Sequence, residues 1–179
     1  PLFVAIDQEG GRVARLKGAF DPGPAMKLAN GQDDDSALSV IRQTARDLGQ
    51  KLLGLGINVD FAPVLDVLTE PSNTAIGDRA FGIDVEPVVR RAKAFLEGLR
   101  AAKVKGCLKH FPGQGDAKVD THAGKAVVDL PRQLLEDREL VPFRALLSLT
   151  DMVMVSHCIY PALDGIEASR SAKVMGGLL

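Results

Sequence analysis

The sequence predicts an α/β fold, and within that class a partial (β/α)8 TIM barrel, about half of one, with parallel strands alternating with helices. Three observations predict it. Four apolar, β-leaning runs recur along the 179 residues, helical patterns fill the intervals between them, and chemically versatile polar residues gather where the runs end. Strands that are nearly continuous apolar runs belong to sheets buried on both faces, as parallel sheets covered by helices are. The competing architecture, a doubly wound sheet, normally carries a Gly-x-Gly-x-x-Gly phosphate loop after an early strand, and Gly10-Gly11 does not fit that spacing. A barrel instead collects its chemistry at the ends of several strands. Asp7 ends the first run, Asp60 and Asp66 flank the second, Lys109 and His110 end the third, and Ser156 and His157 end the fourth. A complete barrel takes about 250 residues, so residues 1–179 are expected to form one incomplete barrel domain.

In chain order, the expected strands are Leu2 to Ile6, Ile57 to Ala62, Gly106 to Leu108 and Met152 to Val155. A helix is expected from Ser36, as N-cap, to Leu53, because Leu38, Ile41, Ala45, Leu48 and Leu52 recur at spacings of three and four. Gly54 and Gly56 end it in a left-handed turn. A second helix runs from about Asp84 to Lys103, with Val88, Ala92, Phe95, Leu96 and Leu99 inward and Pro87 tolerated in the first turn. Pro131 to Ser148 is helical in composition, with a break expected at Pro142.

Composition narrows the partners. The chain is 46% hydrophobic and 25% charged, as in an ordinary globular domain able to bury a core without metals or cross-links. With 22 basic against 23 acidic residues, the net charge of -1 excludes the basic balance that nucleic acids attract. Aromatics at 4%, without Trp, argue against base-stacking platforms. No apolar run reaches the roughly 18 residues of a membrane span, and no membrane partner is expected. The chain opens at Pro1 inside an apolar run and closes at Gly177-Leu178-Leu179, so both ends read as cut and a leader peptide is left open. Cys107 and Cys158 lie in or beside apolar segments, the pattern of buried free thiols in a reducing compartment.

Three clusters carry candidate chemistry. Asp7-Gln8-Glu9-Gly10-Gly11-Arg12-Val13-Ala14-Arg15 places acids and guanidinium groups around a tight turn after a buried strand; a polar ligand or local ion pairs would both use it. In Ile76-Gly77-Asp78-Arg79-Ala80-Phe81-Gly82, Arg79 can fork two donors onto neighbouring hydroxyls, or Asp78 and Arg79 can simply hold their own loop. Lys109-His110-Phe111-Pro112-Gly113-Gln114-Gly115 leaves an apolar strand for a loop, and Asp120-Thr121-His122 follows. Residues two apart in an extended segment share a side, so Asp120 can orient the His122 ring and leave its other nitrogen free to exchange a proton near neutral pH. The three histidines, His110, His122 and His157, are also possible metal ligands, although no His-x-His, His-x-x-x-His or Cys-x-x-Cys pair occurs.

Taken together, these motifs resemble glycoside hydrolase family 3, in its bacterial β-N-acetylglucosaminidase branch. The resemblance rests on Ile6 to Val13, Gly56 to Asp66, Gly77 to Gly82, Lys109 to Gly113 with Asp120-Thr121-His122, and Val155-Ser156-His157 followed by Tyr160-Pro161. It implies a TIM barrel that removes terminal N-acetylglucosamine from peptidoglycan-derived muropeptides with retention, through a covalent glycosyl-enzyme. The resemblance makes His122 the acid/base and Asp120 its orienting partner, in place of the more common carboxylic acid. It assigns Asp7, Arg15, Arg79, Lys109 and His110 to holding the sugar, needs no cofactor or metal, and implies action in the bacterial cytoplasm, with export left open. The family's usual His stands as Gln114 here, which hydrogen-bonds but does not titrate. Its nucleophilic Asp is expected beyond Leu179, so residues 1–179 alone are expected to be inactive. The alternatives are a non-catalytic sugar-binding remnant and a metal-dependent barrel hydrolase.

Overall fold

The structure is a computed structural model that describes residues 2–118, 126–150 and 152–178. The strands are β1 (Ala5–Ile6), β2 (Gln8–Gly10), β3 (Val13–Ala14), β4 (Val59–Asp60), β5 (Lys105–Gly106), β6 (Leu108–Phe111), β7 (Val153–Val155), β8 (Ile159–Tyr160) and β9 (Asp164–Glu167). The helices are α1 (Asp35–Gly54), α2 (Val85–Ala101), α3 (Arg132–Leu134), α4 (Val141–Leu146) and α5 (Ala172–Gly177). β1, β4 and β5 pair in parallel in that order, and β6 pairs in parallel with β7. Cys107 alone separates β5 from β6, and its N–H donates to the Ala62 carbonyl at 2.8 Å. The four expected strands therefore lie side by side in chain order, with α1 and α2 as the first two crossovers, the arrangement of part of a (β/α)8 barrel.

The helix faces follow the sequence periodicity. Ile41, Ala45, Leu48 and Leu52 of α1 are buried, and so are Val88, Ala92, Phe95, Leu96 and Leu99 of α2. Leu38 is only half-buried, and Ala37 takes the inner position of the first turn. The N-cap of α1 is Asp34 rather than Ser36: its carboxylate accepts from the Ala37 N–H at 2.9 Å, satisfying an amide that the helix leaves free. At the other end Gly56, at φ 80°, lets the Ile57 N–H reach the Leu52 carbonyl at 3.0 Å while its own N–H reaches Leu53 at 2.9 Å. Lys103 closes α2 with the same pattern. The third helical region divides just before Pro142. A π-helical turn, Leu135–Glu139, precedes α4, and Pro142 sits in the first turn of α4 where its missing N–H costs nothing.

The core runs between the sheet and this helical layer and includes Leu65, Leu96, Leu108 and Phe111. Phe81 meets Phe95 edge-on, and Phe111 meets Phe143, with centroids 5.8 and 5.3 Å apart. Both cysteines are buried and unbridged. No helix among the described residues is long and apolar enough to cross a membrane.

Candidate active site

A cleft of about 410 Å³ opens where the parallel strands end. Its walls include Asp7 and Glu9 after β1, Arg79 from the loop before α2, Lys109 and His110 of β6, and Met154 to His157 of β7 and its exit. The sequence order of these elements explains the convergence, because every strand of a parallel array delivers its carboxyl end to the same face.

Lys109 is the anchor. Its side chain is 1% exposed, and an ammonium so buried is costly unless carboxylates pair with it. Two do: Asp7 Oδ1 at 2.9 Å and Glu9 Oε1 at 2.5 Å. Glu9 is also gripped by Arg79, whose Nε donates to Oε2 and Nη2 to Oε1, each at 2.8 Å. This is a two-pronged guanidinium–carboxylate contact with fixed plane and spacing. Burial alone would push the Glu9 carboxyl up, but the Arg79 hydrogen bonds and the Lys109 and Arg79 charges outweigh it and hold Glu9 below its ordinary value.

The chain of opposite charges continues on both sides. Arg79 Nη1 donates to the Ala75 carbonyl at 2.7 Å, and Nη2 stands 3.3 Å from His110 Nε2. His110 Nδ1 is 2.6 Å from Asp66 Oδ2, while Asp66 Oδ1 accepts from the Gln114 N–H at 2.8 Å and the His110 N–H at 3.3 Å. The network assigns the proton to Nδ1, facing Asp66, and leaves Nε2 as the acceptor facing Arg79. At the other end Asp7 Oδ2 lies 3.7 Å from Arg15, an exposed side chain at the rim.

The floor is set by Gln8 and Asp60. Buried Gln8 accepts from the N–H groups of Arg15 and Leu16 and donates to the carbonyls of Leu16 and Phe20, which folds the β2–β3 turn back on itself. Gly10, at φ 108°, is required in that turn because a Cβ would stand 2.1 Å from the Gly23 carbonyl oxygen. The Gln8 N–H donates to Asp60 Oδ1 at 3.0 Å, and Asp60 Oδ2 has no hydrogen-bond partner among the described residues. Burial raises the Asp60 carboxyl to about 8 against the opposing effects of that hydrogen bond and the Lys109 charge, so the acid is mostly protonated at pH 7.

Asp78 and Arg79 do not hold each other. Asp78 pairs with Arg12 at 3.3 Å, and Arg12 also donates to the carbonyls of Thr74, Ala75 and Ile76, which fastens the loop that presents Arg79. Gln114 is buried in the cleft wall, where its Oε1 accepts from Ser156 Oγ at 2.8 Å. His157 stands at the rim with Nδ1 2.7 Å from Ser169 Oγ. Among the described residues no group of three or more His, Cys, Asp or Glu is placed to hold a metal ion.

Of the residues singled out by sequence, Asp7, Arg79, Lys109 and His110 converge on the cleft, Arg15 stands at its edge, and Asp120 and His122 lie outside the described residues. Glu9 and Asp66 are as central as any of these. Their partners lie far along the chain, 70 residues for Glu9–Arg79 and 44 for Asp66–His110, so local spacing carries no signal for them.

Fold and site together define a (β/α)-barrel protein with a polar-ligand cleft at the carboxyl ends of its strands. The glycosyl hydrolase family 3 N-terminal domain matches residues 1–179, and the chain belongs to that family. It is 42% identical over 182 residues to β-hexosaminidase LpqI of Mycobacterium tuberculosis, a match covering 100% of this chain and 46% of the relative. A β-hexosaminidase of Nitrosomonas eutropha is 37% identical, with 100% and 52% covered. Among solved structures, a family 3 β-N-acetylglucosaminidase from Paenibacillus sp. FPU-7 superposes with a TM-score of 0.90 at 37% identity, over 99% of this chain and 34% of that one. NagZ from Neisseria gonorrhoeae in complex with N-trifluoroacetyl-D-glucosamine gives a TM-score of 0.85 at 35% identity, over 93% and 50%. The chain spans about half the length of the curated relatives it matches.

Proposed function

We propose that the protein is a retaining β-N-acetylglucosaminidase that removes terminal N-acetylglucosamine from peptidoglycan-derived muropeptides, acting in the bacterial cytoplasm. The observation that carries the reading is the cleft of a family 3 chain in which Asp7, Lys109, Arg79 and His110 converge. A sugar offers adjacent hydroxyls that each donate and accept, and such a surface suits them. Asp7 accepts, the Lys109 ammonium retains one of its three N–H groups after Asp7 and Glu9 are served, and Arg15 borders the opening. The names of the relatives support the same substrate class.

In this proposal His122 protonates the leaving oxygen and then activates water, and Asp120 orients its ring. The attacking carboxylate is supplied by the part of the relatives' length that residues 1–179 do not cover, because retention needs a nucleophile on the face opposite the acid/base. The test is hydrolysis of a chromogenic β-N-acetylglucosaminide by the full-length protein. Turnover with retained product configuration, reduced in kcat by roughly 10²- to 10⁴-fold in His122→Ala, is expected. Residues 1–179 alone should give no turnover. Sugar binding without hydrolysis by the full-length protein would replace the enzyme reading with the sugar-binding one, and fractionation of the native cells checks the compartment.

A further inference from the structure

We infer that Glu9 is the positioning residue of this cleft: its single carboxylate fixes both the Lys109 ammonium and the Arg79 guanidinium, and so sets the spacing of the two cations a ligand meets. The inference rests on the sugar-holding role proposed above for Lys109 and Arg79. Three features of the geometry carry it.

First, the contacts leave Glu9 no other task. Its Oε1 receives Lys109 Nζ and Arg79 Nη2, its Oε2 receives Arg79 Nε, and its side chain is 4% exposed. With both oxygens engaged by these two cations, Glu9 acts through the groups it holds. Second, Glu9 determines what Asp7 is free to do. Lys109 is buried and takes two carboxylates; with Glu9 serving as one of them, Asp7 commits only Oδ1 and keeps Oδ2 toward the opening, where Arg15 is 3.7 Å away. Without the Glu9 charge, Asp7 is the one carboxylate among the described residues within ion-pair distance of Lys109, and it is drawn off the cleft. Asp60 is no substitute, since among the described residues its only hydrogen bond is the one it accepts from the Gln8 N–H. Third, the two-pronged contact fixes the plane of Arg79. Among the described residues two of its five N–H groups go to Glu9, one to the Ala75 carbonyl and one toward His110 Nε2, and the direction of the fifth is set by Glu9. An amide at position 9 has one acceptor oxygen and no charge and cannot reproduce the fork.

Glu9→Gln and Glu9→Asp in the full-length protein test this. Two quantities are read: KM and kcat for the N-acetylglucosaminide, and the solvent-exchange rate of the Arg79 Nε–H by NMR. Glu9→Gln should raise KM roughly tenfold or more with a smaller change in kcat, the mark of lost ground-state binding geometry rather than lost protein. It should also speed Nε–H exchange roughly tenfold. Glu9→Asp keeps the charge but is one methylene too short to span both cations, so it should fall between; it carries the same readings should the Gln variant not fold. A KM within about twofold of wild type together with unchanged exchange overturns the inference. If the wild-type enzyme does not act on N-acetylglucosaminides, the proposed function falls, while the exchange rates still decide whether Glu9 holds Arg79.

Discussion

Two buried glutamates, one in the cleft and one behind it, sit beside arginines and yet titrate in opposite directions. Glu9 is 5% exposed and Glu139, at the end of the π-helical turn, is 1% exposed. Glu139 packs against Gly113 and touches Arg138, whose Nε is 2.6 Å from Oε1. There the likeness ends. Arg138 turns its Nη2 to Asp116 at 3.0 Å instead of completing a fork, and Glu139 Oε2 has no hydrogen-bond partner among the described residues. Burial therefore prevails over the Arg138 charge, helped by the negative charges of Asp66 and Asp116, and lifts Glu139 to about 7. Burial acts the same way on both carboxyls; the number of cations and the occupancy of each oxygen decide the outcome. A carboxylate with both oxygens engaged by two cations is a fixed charge, and such a charge can organise a ligand site. One with a single contact is a proton-exchanging group near neutral pH.

The strongest way to break this contrast is to remove the Glu9 fork. Arg79→Ala leaves a buried carboxylate with Lys109 alone and should cost about 3–5 kcal/mol in urea unfolding at pH 7. With Arg79 present, the folded-state value of Glu9 lies below the ordinary 4.5, so its contribution exists above that pH and is lost as pH falls through the folded value. In Arg79→Ala, burial faces weaker opposition and the deficit against wild type should shrink as the pH is taken to 4. A deficit independent of pH would show that Arg79 acts by packing instead of by charge.

The next effect is a pH dependence. Glu139 is raised from 4.5 to about 7, so the folded state holds a proton that the unfolded state has released between those values. Its favourable contribution is complete below 4.5 and lost as pH rises through about 7, a change of about 3 kcal/mol. Glu139→Gln keeps the shape and removes the titration. Between pH 4.5 and 7 its unfolding free energy should fall less with pH than that of the wild type, by about that amount. Parallel curves for the two proteins would contradict the raised value.

What the sequence made legible follows from how far each signal reaches. The buried faces of α1 and α2 were readable because periodicity is local, and Asp7, Lys109 and His110 because polar residues ending apolar runs mark strand ends in a parallel array. The third strand was expected to stop at Leu108, where the apolar run meets a charge. It continues to Phe111 because Asp7 and Glu9 compensate Lys109 from across the cleft. The cap of α1 was misplaced by two residues because Asp33, Asp34, Asp35 and Ser36 all have capping side chains, and only the reach to the Ala37 N–H separates them. Adjacency misled in the loop before α2: Asp78 and Arg79 are neighbours, but neighbours diverge in a turn, and each found a partner from the β2–β3 region. Glu9 and Asp66 stand in the sequence within a polar cluster and at a strand end, but their roles were not legible there because those roles lie in pairings across tens of residues.

The smallest effect sharpens the contrast most. Arg138→Ala is formally the twin of Arg79→Ala, since each removes an arginine beside a buried glutamate. Arg138 is 22% exposed on its side chain, and its second contact, Asp116, is 25% exposed, so water replaces much of what is lost on that side. On the other side Glu139, already near 7 with Arg138 in place, is pushed further up and simply keeps its proton. A neutral acid in that position carries no uncompensated charge, so the cost should be about 1 kcal/mol, that of an ordinary hydrogen bond. Glu9 has no such escape at pH 7, because Lys109 at 2.5 Å still favours its charged form. Measured side by side, the two variants should differ severalfold in unfolding free energy. Equal losses would mean that Glu139 is ionised in the folded protein and that one contact suffices to hold a buried carboxylate.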